Sequence, residues 1–156
     1  MPFKTEKQLF DTVYASSFLY KLVDFTTYTT YVCVEPKGLF GIPDIVLVNK
    51  NDSFQSVSIS RSFAFELKLS NWKRAIIQAY RYKAFANHSY VVIDENHVGP
   101  AISHIDDFRR ANIGLLSVDD QGNMRNHFQP NSDEPYSPEL ETKLYSITQQ
   151  TGLIIQ

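Results

Sequence analysis

The stretch FAFELKLSNW, residues 63–72, constrains this chain more than any other. Side chains alternate faces along a strand, so Phe65, Leu67 and Leu69 form one apolar face and Ala64, Glu66 and Lys68 point to the other. Ser70 or Asn71 can then cap a helix running to about residue 86, whose apolar side uses Trp72, Ala75, Ile76 and Ala79. The chain therefore passes from a half-polar strand straight into an amphipathic helix. Glu66 and Lys68 sit within an otherwise apolar strand, and charge taken out of water is costly unless it is paired or holds a metal.

The elements around this stretch predict an α/β domain. Residues 4–23 read as a helix, with Glu6, Leu9, Phe10 and Val13 at i, i+3, i+4 and i+7. Residues 26–35, rich in Thr, Tyr and Val, favour a strand, and Pro36-Lys37-Gly38 marks a turn. Residues 42–48 (IPDIVLV) read as a strand covered on both faces, with Pro43 acceptable only near its beginning or on an edge. Residues 49–58 form a polar loop with a hairpin signal at Lys50-Asn51-Asp52-Ser53, and 61–69 are the next strand. After the helix come a strand at 89–94 and a segment to about residue 112 that could hold a short helix burying Ile102, Ile105 and Phe108. A strand at 113–118, a turn at 119–123 into a short hairpin arm, and a polar closing helix at 138–150 complete the chain. The order α-β-β-β-α-β, followed by a further helical segment and strand, predicts an antiparallel meander feeding a helical crossover, hence a mixed central sheet flanked by helices. No repeat or linker divides residues 1–156, which read as a single domain.

One cysteine, Cys33, excludes an internal disulfide framework, so a reducing, cytoplasmic setting is the expectation. No apolar run approaches a membrane span, and no membrane partner is expected. The net charge of -2 conceals an uneven distribution. Residues 61–83 hold six basic side chains (Arg61, Lys68, Lys73, Arg74, Arg81, Lys83) against Glu66 alone. Residues 84–156 hold ten acidic against four basic ones. A local positive field of this kind steers polyanions, although a merely solvated helix face has the same composition. The acidic half faces away from such a ligand or meets a protein partner. The four histidines lack zinc-site spacing, and no glycine-rich phosphate loop occurs.

If the strands carrying Asp44 and Glu66 pair as a hairpin, the two carboxylates converge at one end. Neighbouring carboxylates repel, and one holds a proton unless a cation lies between them. Oxygen ligands without Cys or His suit Mg²⁺, with Mn²⁺ as a substitute. Lys68 beside such an ion can orient the attacking water, favour its deprotonation, or offset charge on a phosphate oxygen. Phosphodiester hydrolysis demands a barrier reduction of roughly 20 kcal/mol, which these groups could supply together. A solvated ion pair on an edge strand is the plainer alternative for Glu66 and Lys68.

Pro43-Asp44 and Glu66-Leu67-Lys68, on adjoining strands followed by a helix, resemble the PD-(D/E)XK nuclease superfamily, the restriction-endonuclease-like fold. The resemblance covers about residues 4–93, and the 22-residue spacing of the two acids fits a hairpin. It implies a Mg²⁺-dependent DNA endonuclease. Asp44, Glu66 and the Leu67 carbonyl would be metal ligands, and Lys68 would position or activate the water. Glu6 matches an acid that many members carry in the first helix, and reads equally as a first-turn acid complementing the helix dipole. Arg74, Gln78, Arg81 and Tyr82 make one polar stripe on the helix after Lys68, and Gln78 and Tyr82 look like the Gln-x-x-x-Tyr arrangement of some branches. With Lys73, Arg74 and Arg81 they would contact the site or the DNA. Tyr82 reads alternatively as a cap on the core edge. Glu35 ends the strand before the turn leading to Asp44 and could approach the metal from there, but reads better as an exposed hairpin residue. A homodimer is expected, because breaking a duplex takes two cuts. The rival reading is a binding module on the same fold, holding nucleic acid or protein without cleaving.

Overall fold

The computed structural model describes residues 2–22, 29–50 and 60–155. The hairpin signal at 50–53 and the first residues of the strand expected from 26 fall largely outside that range. Seven strands form one mixed sheet in the order β6-β5-β4-β3-β2-β1-β7. The strands are β1 (Thr29–Val34), β2 (Ile45–Lys50), β3 (Ser60–Lys68), β4 (His88–Asp94), β5 (Gly114–Val118), β6 (Met124–Phe128) and β7 (Leu153–Ile155). β1, β2 and β3 form an antiparallel meander, with Ile45 opposite Phe65. β4 lies parallel to β3, and β5 parallel to β4. Parallel neighbours require a crossover. Helix α3 (Trp72–Tyr82) supplies the first, and α4 (Gly99–Ser103) with α5 (Ile105–Ala111) the second.

Each face of the sheet has its own core. On one side Ile45, Leu47, Phe63, Phe65 and Leu67 pack with Leu9 and Val13 of α1 (Glu6–Ala15). On the other, Val46, Val48 and Ala64 pack with Trp72, Ala75, Ala79 and Tyr82 of α3, and with Leu144 of α6 (Pro138–Thr151). The unbroken Ile45-Val46-Leu47-Val48 run thus serves two cores at once, as a doubly covered strand must.

Several boundaries differ from the sequence reading. The first helix stops at Ala15 because Ser16 is extended and its hydroxyl donates to the Gly122 carbonyl, 3.1 Å away. A short α2 (Ser17–Lys21) follows. Asn71 caps α3 by accepting from Arg74 N–H, but the helix ends at Tyr82 rather than 86. Lys83, Ala84 and Phe85 donate to carbonyls three residues back, tightening the last turn. The 99–112 segment divides at His104. That division buries Phe108 but leaves Ile102 exposed, against expectation. β7 was not anticipated. Gly152 ends α6 with an extended backbone, and the following Leu153-Ile154-Ile155 pairs with β1. Among the described residues, no helix is long and apolar enough to cross a membrane.

The loop before β2 is fixed against α3. Gly41 has φ +78°, and a Cβ there would lie 3.0 Å from Tyr82 Cε1. Gly41→Ala therefore combines left-handed strain with a clash. It should cost about 1–2 kcal/mol in urea unfolding at pH 7; an unchanged midpoint would show that the loop does not bear on Tyr82.

Candidate active site

The site forms where β2 begins and β3 ends. Asp44 N–H donates to the Phe65 carbonyl at 3.1 Å, and Asp44 Oδ2 accepts from Leu67 N–H at 2.7 Å. The aspartate is thus tied to both neighbours of Glu66, and the hairpin register brings the two acids together. Glu66 is only 3% exposed. Burial holds its pKa up, at about 7, and the nearby Asp44 charge adds to the effect. Asp44 is likewise raised, to about 6, first by burial and then by Glu6 and Glu35, against the lowering influence of Leu67 N–H and Lys68. Two carboxylates with raised pKa values in one cleft form a site short of positive charge.

Lys68 supplies one charge. Its Nζ lies 3.6 Å from Glu66 Oε2 and 3.9 Å from Glu6 Oε2, with the lysine side chain 17% exposed. Glu6 stands at the start of α1, more than half exposed. It lines an open pocket of about 430 Å³ with Lys7, Phe10, Asp11, Val34, Glu35 and Asp44. Glu35 is exposed, as its hairpin reading requires, yet it adopts φ +47° and donates its N–H to the Asp44 carbonyl. A glutamate in left-handed backbone is uncommon.

Tyr82 departs from the polar stripe read in the sequence. It is buried in the α3 core, so it cannot lie on a nucleic-acid-facing surface. Its hydroxyl is 2.5 Å from Glu66 Oε1 and 3.0 Å from the Ile42 carbonyl. A hydroxyl carries one proton. When Glu66 is ionised, Tyr82 donates to it. When Glu66 is protonated, the carboxyl donates to Tyr82 Oη and the tyrosine proton turns to Ile42. Burial and Glu66 raise the Tyr82 pKa, so the phenol stays protonated in either case. Gln78, one turn earlier, has a buried Oε1 without a hydrogen-bond partner.

Lys73, Arg74 and Arg81 lie exposed on the same helix. Among the described residues none of the three is in an ion pair, whereas Lys83 is held by Asp133, Arg109 by Asp106, Arg110 by Asp107 and Arg125 by Glu95. Arginines of the acidic half are thus neutralised locally, and the cations on the exposed side of α3 are not. Sequence reasoning overlooked Phe40, which lies beneath the Arg81 guanidinium at 5.8 Å. The signal was an aromatic residue in the loop four positions before Asp44.

Among the described residues, no group of three or more His, Cys, Asp or Glu is assembled to hold a metal. The donors present are the two carboxylates and the Leu67 backbone. Their chemistry fits a hard divalent cation, which binds through one or two carboxylates and otherwise keeps its waters. No protein-family model, no curated protein and no solved structure matches this chain.

The raised carboxylate pKa values carry a stability consequence. The folded, metal-free protein binds protons at Asp44 and Glu66 more tightly than the unfolded chain. That stabilisation is complete below the ordinary carboxylate range and is lost as pH rises through about 6 and 7. Glu66→Gln should match wild type at pH 5 and exceed it by about 1–3 kcal/mol at pH 8 in EDTA, by denaturant unfolding. A constant difference between the two proteins at both pH values would contradict the shift.

Proposed function

We propose that this protein is a divalent-metal-dependent DNA endonuclease with a restriction-endonuclease-like core, cutting phosphodiester bonds at Asp44, Glu66 and Lys68. The observation that carries the reading is the buried Glu66 beside Asp44 at the hairpin end, with the Lys68 ammonium 3.6 Å from Glu66. Asp44, Glu66 and the Leu67 carbonyl would hold Mg²⁺ or Mn²⁺, with Glu6 at the rim. When bound, the cation supplies Lewis acidity and offsets charge on the scissile phosphate.

The remaining roles belong to the chain. Lys68, held between Glu66 and Glu6, presents its ammonium to the attacking water and to the developing oxyanion. Tyr82 fixes the Glu66 carboxylate through a short hydrogen bond and ties it to the loop carrying Asp44. Gln78, whose buried Oε1 has no hydrogen-bond partner, would contact the site from one turn before Tyr82. Lys73, Arg74 and Arg81 meet phosphates flanking the cut.

The low net charge of -2 and the acidic excess of residues 84–156 favour the rival reading of a catalytically silent binding module. Cleavage separates the two. With branched or plasmid DNA and Mg²⁺ or Mn²⁺, the wild type should cut, Asp44→Ala should lose metal-dependent cutting, and Lys68→Ala should slow it at least about 100-fold. Equal cutting by all three proteins would remove these residues from the chemistry. Tight binding without cutting in any metal would establish the module.

A further inference from the structure

The outward face of α3 carries a groove of about 440 Å³ lined by Phe40, Ile76, Ile77, Tyr80, Arg81 and Ala111. Phe40 is 51% exposed and Tyr80 49%. Tyr136, 61% exposed, has its ring 6.3 Å from that of Tyr80. Exposed apolar surface of this kind marks a binding face. Its chemistry favours one ligand. Each of the three rings is accompanied by a cation: Arg81 lies over Phe40, and Lys83 over both Tyr80 and Tyr136. Arg81 is the only charged residue lining the groove among the described residues, and it has no acidic partner there. Lys73 and Arg74, also unpaired, lie one to two turns away on the same helix.

Lys83 is itself held by Asp133, but aromatic side chains beside the unpaired Arg81, with Lys73 and Arg74 along the helix, suit a polyanion whose bases are open to stacking. An intact duplex has no free base faces to offer them. The groove draws on the same loop and helix as the proposed site. Phe40 precedes Asp44 by four residues, and Arg81 precedes the Tyr82 that holds Glu66. We propose that this face is a base-stacking platform, and that the substrate presented to Asp44, Glu66 and Lys68 is unpaired DNA: a single strand, or the unpaired arm of a branched molecule. The proposal rests on the nuclease reading for the site but not for the platform. It also removes the need for a second copy, since one cut suffices to sever a single strand.

The test is fluorescence anisotropy of the full chain in EDTA, with a labelled oligothymidylate of about 15 nucleotides, enough to span a single-strand site, and a blunt duplex of equal length. Wild type should prefer the single strand. Phe40→Ala and Tyr80→Ala should each weaken single-strand binding about 5- to 150-fold, the effect of losing one base–aromatic stack, with duplex binding little changed. Phe40→Trp should restore it. Both rings are about half exposed, so thermal melts by circular dichroism should match wild type and confirm that the variants fold.

Single-strand binding unchanged in both alanine variants would overturn the platform, as would a wild type that binds strand and duplex equally. So would a sedimentation-detected dimer that the alanine variants dissociate without altering DNA affinity, because the face would then join two copies. The two readings fail separately. Lys68-dependent cutting with normal affinity in Phe40→Ala would leave the nuclease and remove the platform. Aromatic-dependent strand binding without cutting would leave the platform and remove the nuclease.

Discussion

Two negative charges confined between neighbouring strands set the terms for this structure. Asp44 and Glu66 are brought together by the backbone pairing of β2 and β3, not by any attraction between them. Burial in the cleft is what chiefly raises both pKa values, with the Asp44 charge adding to it at Glu66 and the Glu6 and Glu35 charges at Asp44. A fold keeps such an arrangement at a cost, and unpaired buried charge is among the few features that strongly destabilise a protein. Lys68 relieves part of the imbalance, and a divalent cation would relieve more.

Much of the surrounding architecture holds that pair in place. The crossover helix α3 packs Trp72, Ala75 and Ala79 onto the sheet and thereby delivers Tyr82 to Glu66. The same phenol reaches the Ile42 carbonyl, so it links helix, strand and the loop before Asp44 through one oxygen. Gly41 allows the loop to approach that ring. On the opposite face, α1 covers Phe63, Phe65 and Leu67 and places Glu6 within reach of Lys68. Both layers of the core therefore converge on one end of β3.

Where the sequence reading succeeded, the signal was local and periodic. Alternation in residues 61–69 separates Phe65 and Leu67 from Glu66, and the Asn71 cap marks the beginning of α3. The meander and crossover follow from the order of such segments. Where it fell short, the deciding contact was distant in sequence. Ser16 breaks the first helix because it reaches Gly122, 106 residues away. Tyr82 falls on a polar stripe by helical geometry, yet its side chain is drawn inward by a carboxylate that no helical periodicity reveals. β7 is three residues long, and only its pairing with β1 identifies it. At the site, the nearness of Asp44 and Glu66 was legible once the strands were paired in the mind. The support from Ile42 and Gly41, and the exposed Phe40, were not.

The most direct measurement is anomalous diffraction from a crystal soaked in Mn²⁺ at pH 8, where both carboxylates are ionised. The account predicts a single strong peak at bonding distance from carboxylate oxygens of both Asp44 and Glu66, absent in Asp44→Ala. An empty cleft at saturating Mn²⁺, or an ion bound away from these two residues, would contradict it.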